Sequence, residues 1–494
     1  MSGEILVSFE VDASALAGED LVVGESVRYK GADIAAHRDL SDEKQTVHIP
    51  RGRTYAVDSE TGIKTSLAAE NRVFKDEFTY ENLLPGKTYR FTGRVMAAAG
   101  LDDEGLMTVE EIPSVMTDEN GIALPDGCIE FVPASGDGTL DLYFAIDASV
   151  LADRDVTVYE KVTLSGEPVI VHEVLDGSQT VYIPDGKTTV VDLETGDRIA
   201  NPDEKVRIMD TFVYRNLIPG TEYTLAGRVM KKSTCEEIPS ILTDASYTTP
   251  EGEEGAEQSS GKISAENGTV TFIPDSRDGA LALIFEFDAS TLAGEDAVVF
   301  ERVYHGGSQV IVHENIDDEA QTVHFPHLST TAVDEKDSDH QIDYKGIVSV
   351  VDEIQYENLL TGAKYRVTGV LMNKNTGKPA MAGAERITGE AVFTPEKTDG
   401  SVEVTFRFNS SQLRDGEYVA FETLYMIDGE NGDENEVGSH KDLRDKEQTV
   451  KRQTPPGGTQ TGDTNNMGIW ILLLAAAAAG TVGALIFRKR RGKE

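Results

Sequence analysis

Cysteine is almost missing from this chain: 494 residues carry only Cys128 and Cys235. The two fall in comparable halves of two different repeats, so no pair can close within one unit and a disulfide framework is excluded. Basic residues are scarce as well. Lys and Arg number 45 against 87 Asp and Glu, a net charge of −42. A field of that sign repels nucleic acid and anionic headgroups, so no nucleic-acid partner is expected. No zinc-ligand spacing, phosphate-cradling glycine loop or nucleophile elbow occurs, which leaves no cofactor, no metal and no external-substrate enzyme in view. The acidic stretch DGENGDENE at 428–436 lacks EF-hand spacing and reads as solvated. The first residues show no charged segment leading into an apolar run, hence no secretion signal. Disorder is excluded for most of the chain, because hydrophobic residues make up 39% and alternate in strand-like runs.

Long apolar runs are absent except for one. Met467 to Phe487 (MGIWILLLAAAAAGTVGALIF) carries no charge. At ~1.5 Å per residue such a helix spans a ~30 Å hydrocarbon core. Arg488, Lys489, Arg490, Arg491 and Lys493 follow in the tail 488–494. Positive residues stay cytoplasmic, so the expectation is a transmembrane helix over 467–487 with everything before it outside the cell. Residues 453–466, polar and rich in Pro and Gly, read as a linker.

Repeats organise the rest. One block reads FTYENLLPGKTYRFTGRVM at 78–96, FVYRNLIPGTEYTLAGRVM at 212–230 and IQYENLLTGAKYRVTGVLM at 354–372. Apolar and polar residues alternate on both sides of a Gly-containing turn, a β-hairpin signature. A second block begins at Phe9, Phe144, Phe285 and Phe406 and reads FEVDASALAGEDL in its first copy, with LAGED expected to form one helical turn. The second block occurs four times and the first three. Residues 1–50 therefore match the last third of a unit, and full units are expected at 51–184, 185–326 and 327–452. The expectation is a truncated frame or fragment whose signal peptide and further modules, including whatever binds a host ligand, lay upstream, with non-classical export of an intact protein as the alternative. Short strands separated by Gly, Pro and Asp turns imply tandem antiparallel sandwiches of immunoglobulin-like type, an all-β fold.

Certain polar residues hold fixed positions through the repeats. A Thr follows an Ile-Pro or Phe-Pro step: Thr54, Thr188 and Thr330. An Asp comes 22 residues later: Asp76, Asp210 and Asp352. A Glu closes the strand after the second block: Glu25, Glu160, Glu301 and Glu422. His37, His172 and His313 stand 12 residues beyond it, and His440 stands 18 beyond, across an inserted acidic loop. Last come Gln45, Gln179, Gln321 and Gln448, each opening a Gln-Thr-Val string.

This pattern resembles the T-Q ester-bond domains, or VaFE repeats, of Gram-positive surface adhesins and stalks. Val419-Ala420-Phe421-Glu422 matches the VaFE name letter for letter, and Val298-Val299-Phe300-Glu301 is close. The strings HRDLSDEKQT, HENIDDEAQT and HKDLRDKEQT add a second motif. The resemblance implies CnaB-like sandwiches, each stapled by an ester from the Thr hydroxyl to the Gln side-chain carbonyl, with ammonia leaving. It implies crosslinks Thr54–Gln179, Thr188–Gln321 and Thr330–Gln448. His172, His313 and His440 would act as general bases. The pairs Asp76 and Glu160, Asp210 and Glu301, and Asp352 and Glu422 would each share a proton, because neighbouring like charges cannot both ionise. Where Thr is doubled, the first is chosen, since only that register keeps a Thr in all three units. The unit 51–184 departs by one residue, with HEVLDGSQT before its end. Residues 1–50 have the Glu, His and Gln but no partner Thr or Asp. Gly458-Thr459-Gln460-Thr461-Gly462-Asp463 before the apolar run is similar to a sortase sorting signal without its usual Leu and Pro, which makes Thr461-Gly462 the candidate cut site. Sortase, peptidoglycan and the membrane are then the expected partners, with retention as a single-pass membrane protein as the alternative to cleavage. The functional expectation is a self-crosslinked surface stalk, with repeats that themselves bind a host protein or glycan as the alternative.

Overall fold

The computed structural model describes residues 3–101, 107–173, 175–249, 261–266, 268–427 and 432–454. Thr461, Gly462, the apolar run 467–487 and the basic tail lie outside them. Among the described residues no α-helix forms, and no helix is long and apolar enough to cross a membrane.

Each full unit is two antiparallel sheets packed face to face. In 185–326, one sheet orders the strands Asp185–Asp192, Val206–Arg215, Gly279–Phe287 and Ser240–Thr248. The other runs Gly261–Glu266, Thr269–Pro274, Tyr223–Lys231, Glu295–His305 and Ser308–His313, with Thr322–Phe325 also on Glu295–His305. Alternation drives the layering: along Val206–Arg215 every second residue is buried. Those inward residues meet the facing sheet in one core containing Phe212, Tyr214, Tyr223, Phe272 and Phe285. The units 51–184 and 327–452 have separate cores of the same kind.

The block read as a β-hairpin is not one. Val206–Arg215 and Tyr223–Lys231 belong to opposite sheets, and the same holds for Arg72–Glu81 with Tyr89–Leu101 and for Ile347–Glu357 with Lys364–Asn373. The connection is a corner that carries the chain across the sandwich. Leu217 buries itself inside it, and the Tyr223 hydroxyl accepts the Ile218 N–H at 2.9 Å. Tyr89 and Tyr365 pin the other two corners in the same way, at 2.9 and 3.1 Å. The LAGED segments form tight turns rather than a helical turn, whereas Ser410–Gln412 of the last unit forms a short 3-10 turn. Within residues 3–50 two small ladders form, Asp20–Val22 with Thr46–His48 and Glu25–Tyr29 with Ala32–His37. Ile5, Leu6 and Phe9 stay exposed there, with no facing sheet to cover them.

Candidate functional site

The spacings in the sequence are consequences of register. Thr188 is buried on the edge strand Asp185–Asp192, while its neighbour Thr189 points to solvent. Asp210 sits on the adjacent strand opposite Val190, two residues from Thr188 and on the same inward face. Glu301 projects from the facing sheet, with Gly227 directly across from it on one side and His313 on the other. Gln321 ends the turn that enters the last strand. Thr188, Asp210, Glu301 and Gln321 thus converge at the open edge of the sandwich, one pair from each sheet, all buried.

A hydrogen bond runs from the Thr188 hydroxyl to Asp210 Oδ1. The Gln321 amide nitrogen donates to the Val299 carbonyl at 2.6 Å and to Glu301 Oε2 at 3.1 Å. In 51–184, Thr54 likewise donates to Asp76, and Gln179 donates to the Val158 carbonyl at 2.7 Å and to Glu160. The last unit is tighter. There Gln448 Nε2 lies 2.7 Å from Thr330 Oγ1 and 2.6 Å from Glu422 Oε2, so nucleophile and amide touch. Residues 3–50 hold the half-site alone, with Gln45 Nε2 donating to Glu25 at 3.1 Å.

The carboxyl pairs are the electrostatic centre. Burial raises Asp210 to about 7 and lifts Glu301 well above the carboxylate range, the charge of Asp210 adding to the second shift. Burial and Asp352 push Glu422 to about 11, and burial and Asp76 raise Glu160 strongly. In every pair burial and the neighbouring Asp raise the Glu, so the pair keeps a proton at neutral pH. The unpaired atoms agree: Asp210 Oδ2 and Glu301 Oε1 have no other hydrogen-bond partner, and neither do Asp76 Oδ2 and Glu160 Oε1. The side-chain carbonyl oxygen of Gln179, Gln321 and Gln448 also lacks a donor. A proton between the carboxyls satisfies acceptors that two carboxylates would leave in conflict.

The histidines stand beside their Glu, and His440 Nδ1 also lies 3.0 Å from the Leu328 carbonyl on the strand of Thr330. No ring nitrogen of His172, His313 or His440 hydrogen-bonds the Thr of its unit. Each faces its Glu across the ladder, in registers Glu160–His172, Glu301–His313 and Glu422–His440. Their Nε2 atoms point to an aspartate that the sequence reading left without a role: His313 to Asp318 at 3.2 Å and His440 to Asp445 at 3.0 Å. Asp42 holds His37 at 3.1 Å, whereas Asp176, one residue closer in sequence, lies 3.9 Å from His172. The same Asp caps the turn before the Gln, as in Asp318 Oδ1 accepting the Ala320 N–H at 2.9 Å. Its signal was present in the sequence, since it is the second Asp of HENIDDEAQT.

A family model for the T-Q ester bond containing domain matches residues 1–49, 50–183, 185–325 and 326–452. The chain belongs to that family. Its four T-Q regions cover the chain up to the linker, and each holds one Gln of the set above. No curated protein matches. Among solved structures, the chain is similar to the C-terminal domain of the AgI/II polypeptide BspA of Streptococcus agalactiae, at 8% identity and TM-score 0.26 over 55% of this chain and all of that one. It is also similar to a Mobiluncus mulieris adhesin described as containing intramolecular disulfide, isopeptide and ester bond cross-links, at 10% identity and TM-score 0.20 over 55% of this chain and 99% of the other. Among the described residues of this chain both cysteines are free.

Proposed function

We propose that the chain is a surface stalk of adhesin type whose three full T-Q units staple themselves with Thr54–Gln179, Thr188–Gln321 and Thr330–Gln448 esters. The observation that carries this reading is the 2.7 Å approach of the Gln448 amide to the Thr330 hydroxyl beside a buried carboxyl pair. An amide is a poor electrophile and a hydroxyl a poor nucleophile, so both need assistance. In 185–326, Asp210 accepts the Thr188 proton as Oγ1 attacks Gln321 Cδ. The Oγ1–Cδ bond forms, the Cδ–Nε2 bond breaks, and protonated Glu301 gives its proton to the departing nitrogen, releasing ammonia. The pair holds one proton before and after, moved from Glu to Asp. His313, held by Asp318, stands on the Glu301 side and serves the leaving group. Folding supplies the proximity, which is worth ~7–11 kcal/mol of barrier when reacting groups are aligned. Each unit reacts once, so this is self-modification rather than turnover.

Attachment completes the reading. The apolar run 467–487 and the basic tail hold the chain at the membrane until sortase cuts before Gly462 and joins Thr461 to peptidoglycan; without that cut the same segment keeps it as a single-pass membrane protein. Intact mass tests the chemistry. The purified chain should weigh less than its sequence by one ammonia for each stapled unit. Thr188→Ala should return one of those ammonias, beyond the mass of the substitution itself. A wild-type chain at full sequence mass would reduce the Thr, Asp, Glu and Gln to ordinary core residues.

A further inference from the structure

The same three positions meet wherever one unit follows another. From the leading unit come an aspartate (Asp20, Asp155 or Asp296) and the residue three beyond the crosslinking Gln (His48, Tyr182 or His324). From the following unit comes the first residue of its corner, Asn82, Asn216 or Asn358. All three asparagines adopt left-handed backbone, with φ of 61°, 60° and 64°, which Asn tolerates better than most residues. That conformation turns the side-chain amide back towards the preceding unit.

At the first boundary, His48 Nδ1 lies 2.8 Å from Asp20 Oδ1 and 3.1 Å from Asn82 Oδ1. Asn82 Nδ2 donates to Asp20 at 2.9 Å and to the Glu19 carbonyl at 3.0 Å. The third boundary repeats this almost atom for atom. His324 Nδ1 lies 2.9 Å from Asp296 and 3.2 Å from Asn358, whose Nδ2 donates to Asp296 at 2.7 Å and to the Glu295 carbonyl at 3.0 Å.

The middle boundary departs twice, and the two departures cancel. Tyr182 has no imidazole to offer. Across the boundary, Arg277 stands where the other full units have Gly136 and Thr398, the residues whose carbonyls receive the corner Leu N–H. Its guanidinium donates to Asp155 at 3.0 Å, bonds the Asn216 side-chain oxygen, and lies 5.2 Å from the Tyr182 ring centre. The donor lost from the leading unit is supplied by the following one.

A second contact locks each full boundary. The segment after the Thr strand pairs in parallel with the last strand, Thr65 with Tyr182 and Ile199 with His324, and enters the next unit. Thr65 bonds His305 at 3.1 Å, and Ile199 is fully buried in the core of 327–452. The trailing face of 327–452 breaks the pattern. Glu417 keeps an acid in the place of the Asp there, and Lys451 takes the place of the His.

We propose that these residues form a matched docking joint that sets successive T-Q units at a fixed angle and accepts only the corner face of another T-Q unit. The joint goes beyond the ester reading and does not rest on it.

The test uses the two native cysteines. Cys128 and Cys235 are free and lie in the two units that the middle joint connects, one in each. Nitroxide labels on both, read by pulsed electron–electron resonance in the full chain, should give one narrow distance peak. Arg277→Gly should lose the narrow peak, because Tyr182 cannot replace the donor. Arg277→Gly with Tyr182→His should regain it, since the middle joint then has the chemistry of the outer two. Intact mass and circular dichroism on each variant establish that both units are folded and that their ester state is unchanged, and Asn216→Ala serves as a second disrupting variant. A broad wild-type distribution, disrupting variants as narrow as wild type, or a double variant as broad as the single one would each overturn the joint.

Discussion

Asp210 and Glu301 are both fully buried, and only one negative charge is tolerable between them. Glu301 therefore carries into the folded unit a proton that it loses in the unfolded chain above a pH of about 4.3, the ordinary value for Glu. Its folded pKa is raised, so its stabilising contribution is full below that pH and is lost as pH climbs towards the folded value. In the unit 185–326 carrying Thr188→Ala, which cannot staple, stability to urea should fall between pH ~5 and ~8, with Glu301 and Asp210 each contributing up to about 1.4 kcal/mol per pH unit. Adding Glu301→Gln, which keeps a hydrogen-bonding amide without a titrating proton, should reduce that slope to the part that Asp210, itself raised to about 7, contributes. An equal slope in both variants would mean that Glu301 is ionised when folded. Most of this site is legible from residues alone. The alternation that puts Thr188 inside and Thr189 outside follows from keeping a Thr in every repeat. The role of His313 was not legible, because spacing along the chain places it opposite Glu301 and says nothing of its reach to Thr188. Asp318 does not stand out in the sequence because Asp is common in turns, and a capping Asp looks the same there whether or not it also holds a histidine.

Strand spacing translates faithfully into partners where two strands form a true hairpin. Twelve residues separate Glu301 from His313 and eighteen separate Glu422 from His440, yet both pairs are directly opposed. The insertion lengthens the tip of the hairpin and leaves its base untouched. Alternation alone does not say whether two successive strands share a sheet, which is why the corner block reads as a hairpin in sequence. The buried Leu217 and the bond from Ile218 to the Tyr223 hydroxyl decide for the corner, and both are tertiary facts. The glycine opposite each Glu is a second element-scale requirement. A Cβ on Gly227 would sit 2.5 Å from the ring of Phe285, and Gly93 and Gly369 meet Phe144 and Phe406 at 2.4 and 2.5 Å. The Phe that opens the second block thus fills the space that Gly leaves beneath the site. Gly227→Ala should cost ~1–3 kcal/mol through overpacking. It should lower the thermal midpoint of the Thr188→Ala unit, and an unchanged midpoint would show that Phe285 yields freely.

For the molecule as a whole, the position of the staple matters more than its contribution to equilibrium stability. A crosslink closing a ~100-residue loop adds ~4.7 kcal/mol in the chain-entropy treatment. Under tension the effect is larger in kind. The chain enters a unit at Asp185, three residues before Thr188, and leaves it at Phe325, just past Gln321. With the ester in place, load passes from Thr188 directly into Gln321, and the sheets between them lie outside the force path. The joints have the same logic, since Tyr182 and His324 belong to the very strands that follow the crosslinking Gln. Single-molecule stretching of the full chain should accordingly show no unfolding step for a stapled unit before its covalent bonds fail. Thr188→Ala should add one step. The more than one hundred residues between Thr188 and Gln321 would then extend at ~3.3–3.6 Å each, releasing several hundred ångströms of contour. Steps of that length in the wild type would show that load reaches the sandwich, and would contradict the ester as the load-bearing link.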